Sequence, residues 1–393
     1  MILTNKQEEG LRCAVSRYYA REPWTCIAGY AGTGKSTLIQ FIIEALELEP
    51  EDVAYVTLTG KAASVLRQKN CPNAMTAHRL LYHAVRQKDG SFIYKPKDKL
   101  EEDYKLIIVD EISMLPIGLW HRLLSHRIPI IACGDPFQIP PINPNEDNHV
   151  LDKPHVFLDE IMRQAKESEI IRLSMGIREY KYVPLHKGPE VQIIATKDVI
   201  PAMNHWADQI IVGTNKMRNQ INQQMRLELG RGTLPEVGDK VICCRNCWDI
   251  MDWSYNNALT NGTIGYLDEF ILSERQYPKL FLPSAPILDA VVKGEMAEKY
   301  SVNIDQTALM TGEKFYTPAQ EFQIATFKEY KGTEPIEFNY GYAITGHRAQ
   351  GSQWNKVMVY EERFPFGKEE HARWLYTCVT RAASRLVLVK EGV

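Results

Sequence analysis

Gly29-Tyr30-Ala31-Gly32-Thr33-Gly34-Lys35-Ser36-Thr37 is the stretch that decides the fold. It fits G-x-x-x-x-G-K-[ST], the spacing of a loop that cradles the phosphates of a nucleotide. A polyanionic phosphate tail needs several backbone N–H groups aimed at one spot. A glycine-rich turn lets the chain curl that tightly, and the N-terminus of the following helix adds partial positive charge. In this reading Gly29, Gly32 and Gly34 make the turn, with Tyr30, Ala31, Thr33 and Thr37 completing the cradle. Lys35 brings its charge to the β- and γ-phosphates, and the Ser36 hydroxyl is placed for Mg²⁺. The flanks agree: Thr25-Cys26-Ile27-Ala28 is β-prone, and Leu38 to Leu46 is apolar at helical spacing.

The rest of the chain sets bounds. Its 393 residues suggest two or three domains, each able to bury a core. Hydrophobic content of 45% and charged content of 24% are those of an ordinary globular protein. A net charge of −3 excludes a globally basic nucleic-acid binder but not a local basic groove. No apolar run approaches the ~18 residues of a membrane-spanning helix, and the first residues lack the layout of a signal peptide. The eight cysteines are scattered apart from Cys243, Cys244 and Cys247, as for free thiols in a reducing cytoplasm. Cys244-x-x-Cys247 has no second pair at metal-site spacing, so these residues read as part of a strand and turn.

Along the chain, residues 4–20 read as a helix capped by Thr4 or Asn5. Its Gln7 is by spacing a surface glutamine, although a Gln amide can also pair with both N6 and N7 of adenine. Val53 to Leu58 is a buried-type strand that opens into Thr59-Gly60-Lys61 at the ligand side of an open α/β sheet. Asp89-Gly90 between extended runs signals a hairpin that is basic and carries Phe92 and Tyr94. Lys105 to Val109 is an apolar strand ending in Asp110 and Glu111, the second half of an ATPase site. Asp110 would hold Mg²⁺ through its water shell, and Glu111 would polarise the attacking water. A third strand, Ile128 to Cys133, leads into Gly134-Asp135-Pro136-Phe137-Gln138-Ile139-Pro140-Pro141, where Gln138 could meet the γ-phosphate. Short strands and turns around Val237–Ile242 and Thr260–Gly265 have the texture of a small β-barrel, and a short helix is expected around Ala290–Tyr300. From Glu337 α/β character returns.

Taken together, the set from Gln7 to Arg381 resembles superfamily 1 helicases, and within them the RecD-like and Dda-like DNA helicases of the B branch. The third motif, GDPFQIPP, is close to the RecD-like GDxxQLPP. The fifth, TGHRAQGS, carries QG where the UvrD-like branch carries KG. Its Gly346 and Arg348 depart from the usual Ile or Phe and Lys, and Leu58-Thr59-Gly60 departs from the usual Pro-Thr. The resemblance implies an α/β fold of two RecA-like motor domains, each a parallel sheet flanked by helices, with a small β-hairpin insertion and a small β-barrel insertion. Residues 1–150 would form the first motor domain with the hairpin at 83–104. Residues 151–240 and 337–393 would form the second, and 241–336 the barrel.

By the same resemblance Gln7 reads adenine, Arg163 and Arg381 reach the γ-phosphate, and Gln350 and Gly351 link the nucleotide and DNA sites. Thr59, Lys61, His78, Pro140, Thr214, Asn215 and His347 fall on motifs that line the DNA path, with Phe92 or Tyr94 at the tip of a strand-separating pin. The implied activity is ATP-dependent unwinding of duplex DNA by 5′-to-3′ movement on single strands, with ATP and Mg²⁺, in replication, repair or recombination. The implied partners are single-stranded and forked DNA and replication or single-strand-binding proteins. The compact layout favours a monomer, in the cytoplasm of a bacterial or phage-infected cell. An RNA helicase, a protein-displacing translocase and a nucleotide-gated DNA-binding module are the alternatives.

Overall fold

The computed structural model describes residues 3–68, 71–86, 92–140, 147–162, 167–181, 183–254, 258–295, 297–330, 332–362 and 367–390. The chain forms two compact units. The first comprises Met1–Tyr82, Pro96–Val199 and Ala349–Val393; the second comprises His83–Lys95 and Ile200–Arg348.

The first unit is built on β1 (Trp24–Gly29), β2 (Val53–Thr57) and β3 (Ala74–Thr76). A two-stranded hairpin, β4 (Tyr82–Arg86) and β5 (Phe92–Pro96), interrupts the series, and its Asp89-Gly90 turn lies outside the described residues. Then follow β6 (Leu106–Val109), β7 (Ile130–Gly134) and β8 (Val156–Leu158). The order across the sheet is β3-β2-β6-β7-β1-β8, and every pairing is parallel. Strands such as Val53–Thr57, Leu106–Val109 and Ile130–Gly134 are buried at every position. That is what a parallel sheet covered by helices on both faces demands, and it explains apolar runs without alternation. The helix Asn5–Tyr19 begins at Thr4 with a capping box, the Thr4 side chain bonded to the Gln7 N–H and the Gln7 side chain to the Thr4 N–H. It packs closely through Gly10, where a Cβ would sit 2.9 Å from both Leu38 and Val156.

The first unit also holds β9 (His186–Lys187) and β10 (Val191–Ala195). The second unit opens with β11 (Gln209–Val212), followed by β12 (Lys240–Cys243), β13 (Cys247–Met251) and β14 (Ala258–Leu259). Next come β15 (Ile264–Arg275), β16 (Ala285–Gly294), β17 (Lys299–Asp305), β18 (Phe338–Tyr340) and β19 (Ala343–Thr345). The first unit closes with β20 (Trp354–Tyr360) and β21 (Ala382–Lys390), where β20, β21 and β10 run parallel and β9 is antiparallel to β10. In the second unit β11 pairs in parallel with β19.

The region expected to be a barrel supplies β15, β16, β17 and most of β12 to a five-stranded antiparallel sheet, β17-β16-β15-β12-β18, whose edge strand β18 lies just beyond it. The helix expected around Ala290–Tyr300 is absent: β16 and β17 occupy that stretch as a hairpin. Glu295, Ala297 and Glu298 favour a helix by propensity, but Ala290, Val292 and Gly294 are buried on alternate positions. Period-two burial, with Gly294 N bonded to Glu298 O at 2.8 Å, decides for strands.

Candidate functional site

Three neighbouring strands of the first sheet, β6, β7 and β1, deliver their C-terminal ends to one edge. They carry respectively Asp110-Glu111, the turn Asp135–Gln138, and the glycine-rich loop before the helix Lys35–Ala45. Strand order alone therefore assembles groups about a hundred residues apart, at the edge where open α/β sheets bind ligands.

The loop conformation requires its glycines. Gly32 and Gly34 have φ of 78° and 77°, in the left-handed region. A Cβ on Gly34 would lie 2.4 Å from both Gln7 Nε2 and Met162 Sδ. Gln7 is buried, and its Nε2 donates to Thr33 O at 3.2 Å while its Oε1 accepts from Thr4 N at 3.0 Å. Its amide thus braces the loop and caps its own helix in this conformation. Lys35 Nζ donates to Gly29 O at 2.6 Å and Tyr30 O at 3.1 Å, folding the ammonium over the loop where phosphate oxygens would compete for it.

Beside the loop lies a cleft of about 530 Å³ lined by Ser36, Thr37, Asp110, Glu111, Gly351 and Arg381. Glu111 adopts φ 53° and ψ 50°, unusual for a residue with a side chain, and strain of this kind concentrates at functional sites. Its Oε1 accepts from Gln138 Nε2 at 3.4 Å and lies 3.9 Å from Arg381 Nη1. Arg381 is buried and held by three further bonds, to Thr377 O, Ser352 O and the Thr380 hydroxyl. Gln138 and Arg381 thus meet around the Glu111 carboxylate. Arg163 lies outside the described residues.

The turn Asp135–Gln138 is clamped by the helix Lys368–Val379. Tyr376 Oη donates to Asp135 Oδ2 at 2.6 Å and accepts from Ala31 N at 2.8 Å. Ile139 N donates to Thr377 Oγ1 at 3.0 Å, Arg373 Nη1 to Pro136 O at 2.8 Å, and Gln350 Nε2 to Ile139 O at 2.7 Å. Burial holds the Asp135 carboxyl above the usual range, against the pull of the Lys35 charge and the Tyr376 bond. Burial likewise raises the Tyr376 phenol. Asp135, Tyr376 and Thr377 join the site without being marked by the sequence motifs above. The available signal was two polar side chains, Tyr376 and Thr377, inside the fully buried run Trp374–Val379.

The residues assigned to a DNA path divide between the units. In the first, Thr59 Oγ1 accepts from Ala62 N at 3.2 Å and so caps the helix Gly60–Gln68. His78 is half-buried, its ring stacked on Tyr82 at 5.8 Å, and burial lowers its imidazole to about 4. Pro140 is exposed. In the second unit, Thr214 caps the helix Asn215–Glu228, accepting from Met217 N at 3.2 Å, and Asn215 Oδ1 accepts from Arg218 Nη1 at 2.9 Å. Burial lowers the imidazole of His347. Arg348 turns into its own unit, donating to Cys244 Sγ at 3.0 Å and Asn339 Oδ1 at 3.1 Å. The side chains of Lys61, Phe92 and Tyr94 lie outside what the structure describes.

Comparison with known proteins gives two family matches: an AAA domain over residues 3–194 and a UvrD-like helicase C-terminal domain over residues 340–389. The ATP-dependent RecD2 DNA helicase of Deinococcus radiodurans is 25% identical over 392 aligned residues, covering 91% of this chain and 46% of that protein. The ATP-dependent DNA helicase dda of Enterobacteria phage T4 is 30% identical over 150 residues, covering 37% of this chain and 34% of that protein. The chain thus spans less than half the length of these curated relatives. A crystal structure of Bacteroides Pif1 bound to single-stranded DNA superposes with a TM-score of 0.52 at 17% identity, covering 99% of this chain and 92% of that one. At that identity the likeness concerns the fold: two RecA-like domains.

Proposed function

We propose that the chain is a superfamily 1B helicase similar to RecD2, Dda and Pif1: an ATP-driven motor that moves 5′-to-3′ along single-stranded DNA and unwinds forked duplexes. The observation that carries this reading is the convergence of Gln138 and Arg381 on Glu111, which lines with Arg381 and Ser36 the cleft beside the glycine-rich loop.

Each residue has a chemical task in that reading. Lys35 exchanges its two loop carbonyls for the β- and γ-phosphate oxygens. Ser36 and Asp110, a hydroxyl and a carboxylate on the same cleft, are the hard oxygen donors suited to Mg²⁺, which otherwise takes water and phosphate oxygens. When bound, that ion would neutralise charge on the phosphates. Glu111 takes the proton of the attacking water, which Gln138 helps to orient. Arg381 stabilises charge on the transferring phosphoryl group, with Arg163 assigned the same task. Gln7, at the edge of the loop, is assigned to adenine.

On the DNA side, Thr59, Lys61, His78, Pro140, Thr214, Asn215 and His347 are assigned to the single strand, and Phe92 or Tyr94 to the fork. Binding there rests on backbone charge and base stacking, so it is salt-sensitive and nearly indifferent to sequence. Gln350 and Gly351 pass the nucleotide state to the strand. The motor acts as a monomer in the cytoplasm of a bacterial or phage-infected cell, with replication or single-strand-binding proteins as partners.

The test is ATP hydrolysis with and without single-stranded DNA and RNA oligomers, followed by unwinding of forks carrying one tail at a time. Strong stimulation by DNA and unwinding only from a 5′ tail support the reading. Hydrolysis indifferent to DNA, or stimulated by RNA alone, overturns it.

A further inference from the structure

The bonds of Tyr376 form a continuous chain through the first unit. Ala31 N–H, in the glycine-rich loop, donates to the phenol oxygen, and the phenol O–H donates to Asp135 Oδ2. Asp135 Oδ1 accepts from Phe137 N at 2.9 Å, and Asp135 O from Gln138 N at 3.3 Å, so one residue shapes the turn that presents Gln138. Gln138 in turn meets Glu111. The central joint is sheltered: Tyr376 and Asp135 are 1% and 2% exposed, and the Phe137 ring packs edge-on against Tyr376 at 5.2 Å. A phenol and a carboxylate taken out of water this completely hold their geometry, because each has few other partners and leaving either unpaired is costly. The β1–β7 ladder joins the two walls as far as Ala28 and Gly134, and the bonds of Tyr376 continue the connection past the ends of the strands.

We infer that Tyr376 is a positioning residue of the ATPase site, holding the first turn of the phosphate-binding loop in register with the Asp135–Gln138 turn so that Gln138 and Glu111 face the γ-phosphate. The inference rests on the function proposed above and adds a residue to it. Tyr376 need not touch the nucleotide. It accepts a hydrogen bond from one wall of the site and donates one to the other, a pair of roles that a phenylalanine of the same shape lacks. Arg381 lies two residues beyond the C-terminal end of the Tyr376 helix, tied back to it by a bond to Thr377 O and 3.9 Å from Glu111. Movement of that helix therefore moves the arginine and the sensor turn together.

The test is steady-state ATP hydrolysis by the full chain with saturating single-stranded DNA, comparing wild type, Tyr376→Phe, Asp135→Ala and the double variant. Binding of a fluorescent ADP analogue and thermal melting are measured on the same samples. Tyr376→Phe is expected to lower kcat about tenfold while KM for ATP and ADP affinity stay within about threefold. Asp135→Ala, which cuts the same chain at its other end, gives the same signature. The double variant is no slower than the worse single, since both break one unit. A kcat for Tyr376→Phe within twofold of wild type overturns the inference. So does a loss of kcat that only tracks lost ADP binding or lost fold, and so do fully multiplicative effects in the double variant. If Tyr376→Phe does not fold, Asp135→Ala alone decides by the same criteria. A wild-type chain that does not hydrolyse ATP overturns the proposed function itself, whereas an active wild type matched by its variants overturns only the role of Tyr376.

Discussion

Replacing Gly34 with alanine tests how the glycine-rich loop is held. At φ 77° an alanine would occupy the left-handed region, at a cost of about 1–2 kcal/mol. Its Cβ would also enter the space of Gln7 Nε2 and Met162 Sδ, both 2.4 Å away. Met162 is flexible and can turn aside. Gln7 cannot move without giving up its buried bond to Thr33 O, worth about 1 kcal/mol, and its half of the capping box at Thr4, worth about another. The sum is about 3–4 kcal/mol of stability, or roughly 6–16 °C in melting temperature for a unit of this size. Gly176 is the opposite case. It sits inside the helix Glu169–Arg178 with nothing within 4 Å of a new Cβ, so Gly176→Ala is expected to stabilise by about 1 kcal/mol. Urea unfolding of wild type and both variants reads the two effects with opposite sign. A Gly34→Ala protein within about 0.5 kcal/mol of wild type would refute the assignment of Gln7 as the brace of the loop.

Glu111→Gln is expected to keep nucleotide binding and lower kcat by about 100-fold or more, as measured by DNA-stimulated phosphate release; retained turnover would remove Glu111 as the base. Arg381→Ala is expected to cost about a thousandfold in kcat, and Arg381→Lys not to restore it, because an ammonium cannot reproduce the bonds to Thr377, Ser352 and Thr380 while facing Glu111. His78 is held neutral, its pKa lowered to about 4 from an unfolded value of 6.5. Its contribution to stability is thus present above pH 6.5 and lost as pH falls toward 4, about 2 kcal/mol between pH 7 and pH 5. Urea midpoints of wild type and His78→Gln should therefore converge in acid, and parallel pH curves would contradict that burial. Thiol labelling of the native chain at pH 8, read by mass spectrometry, should reach half-buried Cys13 well before buried Cys26, Cys133 and Cys378. Equal labelling rates would contradict the packing of the sheet.

Much of the candidate site's local structure was legible in the sequence because its determinants are local. A glycine-rich turn announces its own conformation, and an apolar run ending in Asp110-Glu111 announces a buried strand with acids at its tip. The capping box at Thr4 and Gln7 is a spacing rule of three residues. The stretch Ala290–Tyr300 misled for the same reason. Its glutamates and alanines speak for a helix locally, whereas pairing of Ala290–Gly294 with Gly265–Phe270 on one side, and of Ala290–Lys293 with Lys299–Val302 on the other, makes it strand, and that pairing follows burial in the sheet.

Sequence by itself determined the glycine-rich loop, the acidic pair, the polar third loop and the late arginine, and the family resemblance that their order carries. Tertiary structure alone decided their arrangement. Inserting β7 between β1 and β6 places the Asp135–Gln138 turn between the loop and the acids, an order that chain sequence does not encode. Only the fold could show that Gln7 braces the loop, that Arg348 turns inward to Cys244, and that Tyr376 spans from Ala31 to Asp135 across 345 and 241 residues of sequence. Such bonds depend on two side chains being brought together and sheltered from water. Nothing in the spacing of either residue along the chain signals that the other will be there.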